Sequence, residues 1–75
     1  MRNEEDVKYL KKFGENVKAI RISKGFTQQY LADSLNVEIS QISRLERGIL
    51  NTSIINIKNI AVALEIDAGD LFKFQ

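Results

Sequence analysis

Ser40, Gln41 and Arg44 place a hydroxyl, a primary amide and a guanidinium at positions i, i+1 and i+4, interleaved with the apolar Ile42 and Leu45. On a helix the two aliphatics would turn inward and leave the three polar groups together on the outer flank. Their chemistry is hydrogen-bond donation and acceptance, which recognises a partner and transforms nothing. The rest of the chain offers no covalent alternative. Neither cysteine nor histidine occurs in the 75 residues, which removes the thiol nucleophile, the imidazole base, the Ser-His-Asp triad and the Cys/His zinc site. Asp67 and Asp70 stand one helical turn apart, but a helix cap and a surface acid account for them, and no Gly-rich phosphate loop is present. The chain is therefore expected to be a binding protein and no enzyme, with no cofactor, no metal and no small-molecule ligand.

Holding such a flank outward takes a core, and this chain is short for one. Of its residues 44% are hydrophobic and 28% charged, the composition of a soluble globular domain. At this length a core rarely supplies more than roughly 3–5 kcal/mol without a disulfide or metal, so tight helix packing, self-association or both must make up the stability. No apolar run reaches membrane-spanning length and no signal-peptide stretch opens the chain, so a cytoplasmic location without membrane contact is expected. The net charge of +1 divides into +3 over residues 1–25 and −1 over each of residues 26–50 and 51–75. That mild bias does not by itself mark a nucleic-acid partner.

With no Pro and apolar residues at helical spacing, the sequence predicts an all-α fold of five helices in a single domain spanning 1–75. The first helix is expected over about 5–24, capped by Asn3, with the stripe Leu10, Phe13, Val17 and Ile20, and stopped at Gly25. Thr27 caps a second helix burying Leu31, Ala32 and Leu35, and Asn36 follows as a left-handed turn residue. A third helix runs over about 39–47 and ends at Gly48. Ser53 caps a fourth with Ile54, Ile57, Ile60, Ala61 and Leu64 inward, and Asp67 caps a last one carrying Leu71 and Phe72. The stretch from Gln28 to Arg47 meets the demands of a helix-turn-helix unit. Ala32 is small at the crossing, Asn36 can turn the chain, Val37 plugs the turn, and Ile42 and Leu45 anchor the second rod, which in such units can lie in the DNA major groove.

From Phe13 to Phe72 the chain resembles the lambda-repressor/Cro-like (XRE) helix-turn-helix family, through FGENVKAIRISKGFTQQYLADSLNV, ISQISRLERG and NTSIINIKNIAVALEIDAGDLF. This resemblance covers residues 13–72 as a core, with 1–12 extending the first helix. It implies a five-helix fold whose third helix reads double-stranded DNA, usually as a dimer on a palindromic operator, in a transcriptional regulator of repressor or controller type. It assigns Ile39, Ser40, Gln41 and Arg44 to the bases. The chemistry agrees: Arg44 suits guanine O6/N7, Gln41 suits adenine N6/N7, Ser40 serves base or phosphate, and Ile39 offers apolar contact to a thymine methyl. It places Gln28 on phosphate at the start of the second helix, with Arg47, Asn51 and Ser53 as further phosphate candidates beside their plainer roles in capping or solvation. Lys11 and Lys12 read as a solvated face. Arg21 and Glu46 occupy the positions of a family salt bridge that fixes the recognition helix.

Several residues depart from the family pattern. Glu38 stands where Ser or Thr usually caps the recognition helix, and its charge repels phosphate while suiting the helix dipole. The Pro common near residues 39 and 52 is missing. Ile49, Leu50, Ile55 and Phe74 are apolar where polar residues are usual or beyond the last helix, which favours a dimer interface. That interface is expected at the corner of the last two helices, from Glu65 to Gly69 with Ala68, Leu71, Phe72 and Phe74. A phage repressor, a restriction-modification controller and an antitoxin all fit this size. The alternative function is a protein-interaction module that keeps the fold without specific DNA binding.

Overall fold

A computed structural model of the chain describes residues 3–74; Met1, Arg2 and Gln75, which belong to the expected 1–75 limits, lie outside the described residues. Each α-helix begins at a residue whose side chain or backbone suits the free N–H groups of a first turn. In α1 (Glu4–Ser23), Asn3 accepts from the Asp6 N–H at 2.8 Å. In α2 (Gln28–Leu35), Thr27 accepts from the Tyr30 N–H at 3.0 Å. The third helix, α3 (Ile39–Glu46), starts at Glu38 with no side-chain cap bond. In α4 (Ile54–Leu64), Ser53 accepts from the Asn56 N–H at 3.1 Å. Two stops are left-handed residues. Asn36 ends α2 at φ 57° and Glu65 ends α4 at φ 61°.

The expected fifth α-helix is instead a 3-10 helix, Ala68–Phe72. Five residues are too few to nucleate an α-helix on their own. The tighter turn persists because α1 holds it from outside: the Asn16 side-chain amide donates to the carbonyls of Asp70 at 3.1 Å and Leu71 at 2.9 Å. Asp70 also accepts from the Asp67 N–H at 3.3 Å.

The core is contributed by all five elements: Phe13 and Val17 from α1, Leu31 and Ala32 from α2, Ile42 and Leu45 from α3, Ile60, Ala61 and Leu64 from α4, and Leu71 from the 3-10 helix. Ile20, Leu35, Val37 and Ile57 border it, half-buried, and Leu10 is half-buried as well. Ile54 does not join the inward stripe of α4. As the first residue of that helix it is 79% exposed. Leu71 corrects the expected dimer surface: with no exposed area it fills the core and has nothing to offer a second copy. Phe74 is only half-exposed, its ring edge-on to Tyr9 at 5.1 Å, and Leu50 packs against the core. Phe72 leans on Phe13 at 5.2 Å yet stays 41% exposed. Among the described residues no helix is long and apolar enough to cross a membrane.

Candidate nucleic-acid interface

The geometry of α3 follows from which of its residues are needed below it. Ile42 and Leu45, each 2% exposed, face the core, and that fixes the helix's rotation about its own axis. Ile39, Ser40, Gln41 and Arg44 consequently lie on the solvent side. Among the described residues, the side chains of Ser40, Gln41 and Arg44 make no hydrogen bond and no ion pair with the rest of the chain. Their donors and acceptors are free for another molecule.

Three devices hold this rod in place. The first is the ion pair between α1 and α3. Arg21 Nε donates to Glu46 Oε2 at 2.6 Å and Nη2 donates to Oε1 at 3.1 Å, with both residues buried. A forked pair of this kind fixes orientation as well as distance. Arg21 Nη1 also donates to the Phe26 carbonyl at 2.7 Å, tying in the segment that leads to α2. The second device is Gly14, which no spacing argument singled out. A Cβ there would stand 2.6 Å from the Glu46 carbonyl oxygen, so the backbones of α1 and the last turn of α3 meet where only hydrogen fits. The third is Gly48, at φ 78°, which turns the chain off α3 directly against the backbone of Leu10 and Lys11.

The expected phosphate residues are placed unequally. Gln28 is half-buried, and its Nε2 donates to Glu46 Oε1 at 3.0 Å. Glu46 gathers the guanidinium and the amide from two helices because its buried carboxylate needs several donors, so one hydrogen of the Gln28 amide is engaged inside the fold. Arg47 is exposed at the end of α3, its Nε donating to the Ser43 carbonyl at a long 3.4 Å. Asn51 is exposed in the loop after α3 and lines a groove with Asp6, Tyr9 and Leu10 of α1. Ser53 is occupied as an acceptor in its cap, leaving its O–H to donate outward. The α3–α4 loop is thus laid along the first turns of α1, whereas the glycine inside an otherwise good helix, Gly14, signals the close approach of α1 to the last turn of α3.

A helix-turn-helix family profile matches residues 17–71. The control protein C.BamHI of Bacillus amyloliquefaciens is 40% identical over 63 residues, which are 83% of this chain and 78% of that protein. The crystal structure of the restriction-modification controller protein C.AhdI from Aeromonas hydrophila is similar at 38% identity and a TM-score of 0.81, over 84% of this chain and 96% of the other. That of the clp gene regulator ClgR from C. glutamicum is similar at 26% identity and a TM-score of 0.82, over 85% and 82%. The matched segment contains α2, the Asn36 turn and the outward flank of α3, and with them the chain belongs to the XRE-type helix-turn-helix family of DNA-binding transcriptional regulators.

Proposed function

We propose that the chain, working as a single helix-turn-helix domain with residues 13–72 as its core, is a controller protein of the kind that C.BamHI and C.AhdI are named for. It binds a two-fold-symmetric operator in the cytoplasm as a homodimer and adjusts transcription of the adjoining genes. The observation that carries this reading is the outer flank of α3, exposed and without internal partners on a rod clamped at three points.

In this reading Arg44 donates two bonds to a guanine and Gln41 pairs with an adenine. Ser40 bonds base or phosphate, and Ile39 touches a thymine methyl. Arg47, Asn51 and the Ser53 hydroxyl hold backbone phosphates, which sets the register of α3 in the groove. Gln28 contributes through the free N–H groups of the first turn of α2 and the second hydrogen of its amide. One recognition helix spans only a few base pairs. Two copies related by a dyad present a pair of them about 34–36 Å apart, one turn of duplex. Ala68, Phe72 and the exposed edge of Phe74 form the contact between copies.

Selection of bound duplexes from a random pool tests this directly. An enriched inverted repeat with half-sites one helical turn apart is expected, and binding to it should weaken steeply with salt. A protein that enriches no sequence, or whose complex ignores salt, is a protein-interaction module instead.

A further inference from the structure

We infer that Lys11, on α1, is a DNA-backbone contact that extends the interface beyond the helix-turn-helix unit. This rests on the reading above that α3 and the loop after it face duplex DNA. Lys11 looks in the sequence like any solvated lysine on a charged helix face. Its place in the fold is different. A Cβ on Gly48 would stand 2.5 Å from the Lys11 Cα and 2.7 Å from its backbone nitrogen. Lys11 is therefore seated against the residue that follows Arg47, at the C-terminal end of the recognition helix. Asn51, three residues further on, lines the adjoining groove of about 310 Å³ together with Asp6, Tyr9 and Leu10. The proposed phosphate residues Arg47 and Asn51 thus bracket the point at which α1 carries Lys11.

Charge separates Lys11 from Lys8, and the Gly48 seat separates it from Lys12, which likewise has no ion-pair partner among the described residues. Lys8, one turn earlier, is paired with Glu4 at 3.8 Å. Lys11 is exposed and has no ion-pair partner among the described residues, even though Glu15 lies one turn ahead. Asp6 lines the adjoining groove, and Arg47, the residue before Gly48, adds a second exposed positive charge at the end of α3. A flexible four-carbon stem lets an ammonium reach an anion as a point charge, and Arg47 adds to the positive potential that draws such an anion to this end of α3. A phosphodiester of the strand flanking the groove that α3 occupies supplies that anion. Lys12, the next residue along the helix, is turned about 100° away and serves as the comparison.

The test uses the full chain and its selected operator, with affinity measured by fluorescence anisotropy between 50 and 200 mM salt. Each lost phosphate contact lowers the slope of log K against log salt by about 0.9, or about 1.8 for a dimer. Across that fourfold salt range the unaltered protein should lose about twelvefold more affinity than Lys11→Gln. Lys12→Gln should keep the original slope, and neither variant should change the preferred sequence. An unchanged slope in Lys11→Gln overturns the inference, as does an equal fall in Lys12→Gln, which would mark a general effect of net charge. Failure of the unaltered protein to enrich any duplex would instead remove the functional reading underneath.

Discussion

Gly14→Ala sets two physical effects of opposite sign against each other. In an isolated helix the replacement favours folding by about 1 kcal/mol, because Ala restricts the unfolded chain and suits the helix interior. In this fold the new methyl would stand 2.6 Å from the Glu46 carbonyl oxygen and 2.9 Å from its carbon, where ordinary contact begins at 3.4 Å. The obstacle is backbone, with no flexible side chain to swing aside, and the Leu45 carbonyl oxygen stands nearer still, so α1 and the end of α3 would have to part by more than about 0.8 Å, the gap between 2.6 and 3.4 Å. Overpacking of this kind costs about 1–3 kcal/mol. The same shift would stretch the fork between Arg21 and Glu46 and lift Gly48 from Lys11. The clash should win, for a net loss of up to about 2 kcal/mol. At about 4–8 °C of melting temperature per kcal/mol in a domain of this size, calorimetry resolves the change readily. Urea titration at one fixed protein concentration, so that dimerisation does not enter the comparison, gives the same quantity. A Gly14→Ala protein as stable as the original, or more so, would show that the helices are not packed backbone to backbone, and the account of how α3 is held would fail.

Glu65→Gly should stabilise by up to about 1 kcal/mol in the same assays, since Glu65 is held at φ 61° where a side chain is penalised and glycine is not; a loss of stability would contradict this. Arg44→Ala should weaken operator binding by about 1–3 kcal/mol per half-site and relax preference at one base position, whereas equal weakening on every sequence would reassign Arg44 to phosphate. Arg21→Ala should unfold the chain more readily by about 3–5 kcal/mol, because Glu46 is left charged and buried, and urea titration of Arg21→Ala beside Arg21→Ala/Glu46→Leu should recover part of that loss. The pH profile of stability should be flat through neutrality, there being no histidine to titrate. The hydrogen bond and charge of Lys73 hold Asp70 below its ordinary range, and Asp70 in turn raises Lys73. The contribution of Asp70 is therefore present above its unfolded value and lost as acid takes the pH down through its folded one. That of Lys73 is present below its unfolded value and lost as alkali passes its folded one. A step in stability near pH 6–7 would contradict this.

Local chemistry written in adjacent residues was readable from the sequence. Asn3, Thr27 and Ser53 cap helices because a short side chain and the N–H three residues on belong to one turn, and Asn36 turns the chain because few other residues accept its conformation. The inward set Phe13, Val17, Leu31, Ile42, Leu45 and Ile60 follows from helical spacing alone. What depends on meetings between distant segments was not readable. Asn16 reaches carbonyls 54 and 55 positions away, and nothing near it announces that use. Leu71 looks like one of several surface hydrophobes until the path of the chain puts it beneath α1. Gln28 turns toward Glu46 because the ion pair lies within its reach, a fact of three-dimensional arrangement. Glu65 runs against propensity outright, adopting a conformation for which Gly or Asn would be the usual choice.

The division of labour around α3 has a practical corollary. Ile42 and Leu45 on its underside, together with Glu46, carry the cost of placing it, while the side chains of Ser40, Gln41 and Arg44 are exposed and make no hydrogen bond or ion pair with the rest of the described residues. Address and scaffold are therefore written in separate letters of one short word. On the proposed reading of those three outer positions, a library randomised there should yield mostly folded proteins that differ in the DNA they seek, so the domain could be readdressed without being rebuilt.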